Sequence, residues 1–291
     1  MSTFYRGVIQ NARTTGSVDA LLMLDPYWQY QIPLWVEIFL FLALLFIPME
    51  LGFRFGRRHR TTHPEFRDEA RSDITLTSML ALLGLMIAFT YSFSMSRADL
   101  RKLAIVNEAN AISTAFLRAD LLPEPGRSDV RELLFEYAKS RYAAPGSVRT
   151  GKELQRVIDR SVEAQSRIWP AVKSAIRQTG DMTDAEKALL VVAVNDVLDS
   201  HTRRIAVIYD RLPTAVLALL VLIAGSSLAI AAYNSGLREK SNRWRMTAFA
   251  SILAILMYII LDYDMMMRGL IQIDHSSIVL LIEDMRAALQ N

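Results

Sequence analysis

Four long apolar runs constrain this chain more than any other feature of its sequence. Each run holds about 20 residues, which is the length a helix needs to cross a hydrocarbon core roughly 30 Å thick. Of the 291 residues, 52% are hydrophobic, and they are concentrated in these runs. The sequence therefore predicts an all-α, multi-pass membrane protein with four transmembrane helices. The predicted spans are Ile32–Phe53, Ile74–Met95, Pro213–Tyr233 and Trp244–Leu261.

The order of apolar and polar segments predicts the domain organisation. A polar insert of about 115 residues separates the second span from the third, and its amphipathic periodicity predicts a helical bundle. No strand alternation is visible in it. We divide the chain into an N-terminal segment (1–31), two spans (32–96), the soluble bundle (97–212), two further spans (213–262) and a C-terminal tail (263–291).

Helix start and stop signals can be read within the insert. No helix breaker follows Ser96, so one helix of about 50 residues is expected from near Pro64 to the PEPG sequence at 123–126. Thr150 with Glu153 forms a capping-box signature, as does Thr183 with Glu186. Ser128 is a candidate cap for the helix that follows the PEPG sequence and reaches about Tyr142. The last bundle helix is expected to continue into the third span.

Arginine-rich loops predict the orientation in the membrane. Loops 54–71 and 236–245 are short and basic, and such loops favour the cytoplasmic side, whereas a long insert crosses regardless of its own charge. The bundle is therefore expected to be extracytoplasmic. The opposite orientation is favoured by basic residues where the bundle meets the second and third spans: Arg97, Arg101, Lys102, Arg203, Arg204 and Arg211.

The residues and motifs of the chain give little support to catalysis. The chain has no cysteine, which removes disulfides, thiolate metal sites and cysteine nucleophiles. No glycine-rich phosphate loop, G-x-S-x-G or H-E-x-x-H motif occurs, and His201 is interpreted as a surface or hydrogen-bonded core histidine. We expect neither an enzyme, a cofactor nor a metal site. The net charge of +3 predicts no nucleic-acid partner.

Charged residues within or beside the spans are candidate functional residues, because each is costly in hydrocarbon. Glu50 and Arg54 have the spacing of a helical ion pair; the alternative is an inward-facing charge near a permeation path. Asp262 and Asp264 are candidates to cap the tail, to pair with Arg268 or to ring a pore mouth. The full set is Glu37, Glu50, Arg54, Arg97, Arg101, Asp262 and Asp264.

Hydroxylated residues alternate at the end of the second span. Because successive helix residues turn by about 100°, Thr90 and Ser94 share one side, while Ser92 and Ser96 lie almost opposite. An apolar constriction with hydroxyls at its ends can gate ions by dewetting. The alternative is close packing of membrane helices through small hydroxylated residues. The second stripe continues backwards across the span, and the candidate pore-lining set is Ser78, Leu82, Leu85, Phe89, Ser92 and Ser96.

The region around this stripe resembles a bestrophin-like family of uncharacterised bacterial membrane proteins. An LLGLLLAFTFS-type span, an R-x-D-x-R segment, an E-E-A-N-A-I-like stretch and an L-R-A-x-L-L-P-E-P break are matched here in order. They correspond to Leu82–Ser92, Arg97–Arg101, Asn107–Ile112 and Leu117–Pro125, with further similarity at Pro48–Gly52 and Leu261–Leu270.

The resemblance has functional implications through the distant similarity to bestrophins, which are pentameric anion channels. It implies a pore lined by the second span, with a hydrophobic neck, in a cyclic homo-oligomer of the bacterial inner membrane that is pentameric if bestrophin-like. The expected partners are further copies of the chain, the lipid bilayer and small inorganic ions; the basic residues after Ser96 also favour anions. No counterpart of the bestrophin calcium cluster is evident, so calcium gating is not predicted. The alternative function is a non-conducting sensor or scaffold whose bundle binds a ligand or protein.

Overall fold

The helices of the protein agree with an all-α architecture. The computed structural model describes residues 34–62, 74–144, 147, 150–180, 182–237, 243–264 and 274–290. Within these residues the chain forms eight α-helices, a short 3-10 turn at Ala119–Leu121 and no strand. The helices are α1 (Leu34–Thr62), α2 (Ile74–Arg118), α3 (Gly126–Arg141), α4 (Gly151–Gln178), α5 (Asp184–Tyr209), α6 (Thr214–Leu237), α7 (Arg243–Asp264) and α8 (Ser276–Gln290).

The chain divides into two compact units. The first contains α1, α2 up to Met95, α6 and α7, and the second contains the rest of α2 together with α3, α4, α5 and α8. Four helical stretches are long and apolar enough to cross a membrane, with mean hydropathies of 1.9 to 2.5. These findings confirm the predicted polytopic all-α fold.

Glycines allow α1 and α6 to approach closely in the first unit. A Cβ atom added at Gly52 would collide with the carbonyl oxygen of Ala229, and one at Gly56 would collide with that of Tyr233. Small residues at such contacts let membrane helices pack by van der Waals attraction, since lipid supplies no hydrophobic driving force between helices. The core of this unit also includes the buried Leu83 of α2.

The second unit has its own apolar core. Ile112 of α2, Leu134 of α3 and Leu190 of α5 are fully buried in it, and so is Ile278 of the C-terminal helix α8. The tail was predicted as a separate segment; its helix instead contributes core residues to the bundle. Arg131 of α3 also donates a hydrogen bond of 3.0 Å to the carbonyl oxygen of Ala288.

Local signals predicted the starts of α4 and α5 in the second unit. Both predicted capping boxes are present: the Thr150 and Thr183 hydroxyls accept from the backbone N–H of Glu153 and Glu186, and the two carboxylates accept in return. The prediction for Ser128 was wrong. The cap is Pro125, three residues earlier, and the helix begins at Gly126, so Ser128 lies inside its first turn, where its backbone N–H and hydroxyl donate to the Glu124 carboxylate.

One further helix boundary differs from the prediction, and another lies at the edge of the described residues. Helix α2 runs for 45 residues from Ile74, and the residues before it, including Pro64, lie outside the described part of the chain. Helix α5 ends at Tyr209 and α6 begins at Thr214, so a short segment separates the bundle helix from the third span. Pro213 explains the interruption, since proline disfavours helical backbone at the residue before it.

Candidate functional site

The predicted pore-lining face of α2 lies on the surface of the protomer. All six of its residues are exposed, including the three serines. The exposed fractions of the large apolar members are 47% for Leu82, 53% for Leu85 and 54% for Phe89. This face is therefore available to water, lipid or another chain rather than to the helices of its own unit.

The other hydroxyl stripe of α2 has the opposite position. Thr90 and Ser94 are buried, on the same side of the helix as the core residue Leu83. The Thr90 hydroxyl donates a 2.7 Å hydrogen bond to the carbonyl oxygen of Met86, one turn back. Such a bond satisfies a hydroxyl without a partner helix. The two stripes that the sequence distinguished are thus used differently: one packs within the first unit, and the other is presented outward.

Glu50 takes part in an exposed ion-pair cluster in the first unit. Its carboxylate lies 2.8 Å from Nε of Arg54, which is the predicted i, i+4 pair. The guanidinium of Arg243 on α7 lies 3.2 Å from the same carboxylate and 4.3 Å from the centre of the Phe53 ring. One carboxylate therefore links the end of α1 to the start of α7. The side chain of Glu37 lies outside the described part of the chain.

The two aspartates that end α7 are buried. Asp264 accepts a 3.1 Å hydrogen bond from the backbone N–H of Leu212, just before α6 begins. Asp262 accepts a 3.2 Å hydrogen bond from the Tyr258 hydroxyl. Asp264 thus satisfies a backbone donor that the approach to α6 would otherwise leave unpaired. Arg268, one predicted partner, lies outside the described residues.

Arg97 and Arg101 are engaged with the C-terminal end of α5 in the second unit. Arg101 is only 2% exposed and donates to the carbonyl oxygens of Val207 and Asp210, at 3.2 and 2.7 Å. Nε of Arg97 lies 3.3 Å from the Asp210 carboxylate. Cations are favourable at a helix C-terminus because its last carbonyls carry partial negative charge. Arg101 therefore caps the helix, and Arg97 forms an ion pair with the side chain of Asp210, the residue that follows it.

A buried polar cluster occupies the centre of the second unit. Glu108 of α2 is fully buried, and its carboxylate lies 2.8 Å from Nε of Arg141 and 2.6 Å from Nη1 of Arg204. The Tyr137 hydroxyl lies 2.5 Å from that carboxylate and 2.9 Å from Nδ1 of His201. We call these five residues the Glu108 cluster. They bring α2, α3 and α5 together through charge-assisted hydrogen bonds.

The electrostatics of the cluster fix its charge state. Burial alone would raise the pKa of Glu108, but the nearby Arg141 and Arg204 and the Tyr137 hydroxyl outweigh it and hold that pKa at about 2. Burial, and after it the positive charge of Arg141, lowers the pKa of His201 to about 3. At neutral pH the cluster therefore holds one carboxylate, two guanidiniums and a neutral imidazole. Burial, reinforced by the Glu108 charge, raises the pKa of Tyr137, which stays a phenol.

No sequence motif predicts the Glu108 cluster as a whole. His201 was interpreted as a surface or hydrogen-bonded core histidine, and the second of these is what the structure shows. Glu108 lies in the N-E-A-N-A-I stretch, but nothing in that stretch indicates its partners. The available signal was the placement of His201 and Arg204 on the buried face of α5, in register with Val197 and Ile208. A charge in the apolar stripe of an amphipathic helix predicts a buried pair.

The described residues show no metal-ligand constellation. Among them, no group of three or more histidine, aspartate or glutamate side chains is placed to hold a metal ion.

Four apolar helices, a helical bundle with its own core and an outward serine-bearing face define a polytopic helical membrane protein. A family model for the Bestrophin-like domain matches residues 43–278, and the chain belongs to this family. A solved structure titled "Crystal structure of a membrane protein P143A" has a similar fold, with a TM-score of 0.57 and 9% sequence identity. The similarity covers 89% of this chain and 99% of that chain, and at this identity it concerns the fold alone. No curated protein matches the sequence.

Proposed function

We propose that the protein is a non-enzymatic, oligomeric ion channel whose conduction path is lined by the outward face of α2. The observation that carries this proposal is the exposure of Ser78, Ser92 and Ser96 on one face while Thr90 and Ser94 are buried. A face that only contacts lipid does not need hydroxyls at its two ends. A face that lines an ion path benefits from them, because hydroxyl groups can hydrate or coordinate the ion. Membership of the Bestrophin-like family supports the same class of protein.

The middle of the face has the chemistry of a hydrophobic constriction. Leu82, Leu85 and Phe89 follow one another at helical spacing between Ser78 and Ser92. When several protomers surround an axis, such a ring excludes water until it widens, which gates conduction by dewetting. Anion preference is proposed from the relation to bestrophins. Arg101 does not support it directly, because its guanidinium is buried against α5.

Exposed leucines in the second unit support self-association. Leu100, Leu103 and Leu117 of α2 are about half exposed or more, although this part of the helix lies beyond the predicted span. Leu100 and Leu103 lie about one turn apart on the same face, and such neighbouring apolar residues on a surface outside lipid commonly mark a contact with another protein. We propose that the contact is with another copy of this chain, in a cyclic homo-oligomer. We place the oligomer in a bacterial inner membrane, with the bundle extracytoplasmic and the arginine-rich loops cytoplasmic.

The proposal is tested by reconstituting the full-length protein in liposomes and measuring chloride efflux. Wild-type protein is expected to conduct above empty vesicles. Leu85→Ala and Phe89→Ala are each expected to raise the efflux rate several-fold, since they widen the constriction. Leu222→Ala is the matched control, because Leu222 of α6 is equally apolar and 64% exposed but lies on another helix. This variant is expected to conduct like the wild type.

Two results would overturn the proposal. One is the absence of flux of any small anion or cation in wild-type protein and in both widened variants, with correct insertion verified. The other is an equal effect of Leu222→Ala and Phe89→Ala, which would indicate general loosening of the protomer. A correctly folded protein that conducts no ions would favour the alternative function, a sensor or scaffold that acts through its bundle.

A further inference from the structure

Arginines are concentrated at one end of the first unit. They come from the last turns of α1 and the first turn of α7, and most of them are exposed. We call this set the arginine rim: Arg54, Arg57, Arg58, Arg60, Arg243 and Arg245.

The two parts of the rim, 190 residues apart in sequence, are brought together by described contacts. The Glu50 carboxylate bridges Arg54 on α1 and Arg243 on α7, at 2.8 and 3.2 Å. The guanidinium of Arg243 also stacks 4.3 Å above the Phe53 ring. A third helix joins through the 2.5 Å contact between Nδ1 of His59 and the Tyr233 hydroxyl of α6. The rim is therefore one surface built by three packed helices.

The rim carries far more positive charge than its own structure requires. Within 50–62 and 243–249 the sequence contains six arginines and one acidic residue, Glu50. Glu50 is already shared between Arg54 and Arg243. Arg57, Arg58 and Arg245 are exposed beside it. The first turn of α7 contains no acidic residue.

Exposed aromatic residues on this surface are typical of a membrane–water boundary. Trp244 is 69% exposed between Arg243 and Arg245, and Phe55 is 72% exposed between Arg54 and Gly56. Exposed tryptophan is common at the level of lipid headgroups, where its ring meets both acyl chains and water. The apolar parts of α1 and α7 adjoin the same end. Guanidinium groups at that depth are in position to bind phosphate oxygens in a bidentate manner.

We propose that the arginine rim is a binding site for the phosphate headgroup of an anionic phospholipid, held by Arg57, Arg58 and Arg245. Trp244 packs against its glycerol and upper acyl region. Glu50 holds Arg54 and Arg243 in place and so fixes the spacing of α1 and α7 beneath the headgroup. This lipid site is independent of ion conduction by the protein.

The test is native mass spectrometry of the full-length protein in detergent, titrated with phosphatidylglycerol or phosphatidylcholine. Wild-type protein is expected to retain phosphatidylglycerol preferentially. The double variant Arg58→Gln/Arg245→Gln is expected to bind it roughly 30-fold more weakly, from about 1 kcal/mol per arginine near an anionic headgroup. Arg156→Gln/Arg160→Gln is the matched control, because it removes two exposed arginines from α4 in the second unit. Its lipid binding is expected to be unchanged.

Three outcomes would overturn the lipid site. Equal retention of the two lipids by wild-type protein would show that charge is not recognised. Unchanged phosphatidylglycerol binding in the rim variant would leave the arginines a role in membrane topology alone. Displacement by millimolar inorganic phosphate, with no dependence on acyl chains, would indicate a site for free phosphate. None of these measurements depends on ion flux, so they are distinguishable from a failure of the proposed channel function.

Discussion

Among the described residues, each unit contains a carboxylate that faces two arginines, but the two sites differ in how deeply they are buried within the protein. Glu50 lies near Arg54 and Arg243 at 2.8 and 3.2 Å, and all three side chains are substantially exposed. Glu108 lies near Arg141 and Arg204 at 2.8 and 2.6 Å, and all three are buried. Similar geometry in such different surroundings has different consequences for stability.

The exposed ion pairs of Glu50 contribute little to the free energy of unfolding, because their charges remain solvated with or without the partner. Such pairs contribute about 0–1 kcal/mol. In the Glu108 cluster the charges have already lost their water. The whole buried set need not be more stable than an apolar core, yet removing one member leaves an uncompensated charge, at a cost of about 3–5 kcal/mol. The comparison therefore predicts that the buried cluster is sensitive to single substitutions and the exposed one is not.

The largest expected effect follows from neutralising the buried carboxylate. Glu108→Gln is expected to destabilise the bundle by about 3–5 kcal/mol, because two buried guanidiniums lose their counterion. In detergent this corresponds to a fall in melting temperature of roughly 10 °C, with faster hydrogen exchange in α3 and α5. Glu136→Gln is the control, since Glu136 forms an exposed i, i+3 pair with Lys139 on the same helix α3. Equal melting temperatures for the two variants would contradict the argument.

Removing all three charges tests whether the stability lost in Glu108→Gln comes from the two arginines that are left unpaired. The triple variant Glu108→Leu/Arg141→Met/Arg204→Met is expected to recover at least about 2 kcal/mol relative to Glu108→Gln, because no unpaired buried charge remains. Denaturant unfolding of the purified variants measures the difference. A triple variant no more stable than the single one would show that the loss comes from packing, or from the remaining Tyr137 and His201, rather than from unpaired charge.

Acidification isolates the contribution of His201. Its pKa is about 3 in the folded protein, below the ordinary value of 6.5, so below pH 6.5 the unfolded chain binds a proton that the folded chain does not. Stability is therefore expected to fall by about 1.4 kcal/mol per pH unit from this residue. Glu108, with a folded pKa of about 2 against 4.5, contributes stability that is lost only as pH falls from 4.5 toward 2.

The window between pH 6.5 and 4.5 thus reports on the imidazole and not on the carboxylate. The Tyr137 hydroxyl donates its proton to Glu108, so the neutral His201 imidazole donates from Nδ1 to the phenol oxygen; His201→Gln keeps a hydrogen-bond donor there and removes the titration. Its melting temperature is expected to fall less steeply than that of the wild type across this window. Parallel pH profiles of the two proteins would show that His201 is readily protonated in the folded state.

The same comparison explains how far sequence reasoning reached. The spans were predictable because about 20 apolar residues in a row have few alternatives, and the capping boxes were predictable because their partners lie three residues apart. Glu50 and Arg54 are likewise neighbours in sequence. Glu108 has partners 29 to 96 residues away on two other helices, so its pairing depends on packing that no local pattern encodes. Helical geometry was enough to predict which residues of α2 share the outward face. It does not predict what that face contacts.

The smallest expected effect is at Glu50, and a large effect there would contradict the difference between the exposed and the buried site. Glu50→Gln is expected to change the unfolding free energy by about 1 kcal/mol or less, because Arg54 and Arg243 remain exposed to water. Any effect should shrink in 0.5 M NaCl, which screens exposed charges, whereas the Glu108→Gln effect should persist since the Glu108 cluster is dry. Melting curves at two salt concentrations measure both. A salt-independent loss at Glu50 as large as that at Glu108 would mean that the arginines of this cluster are desolvated in the assembled protein, and that an additional layer of protein covers this end of the first unit.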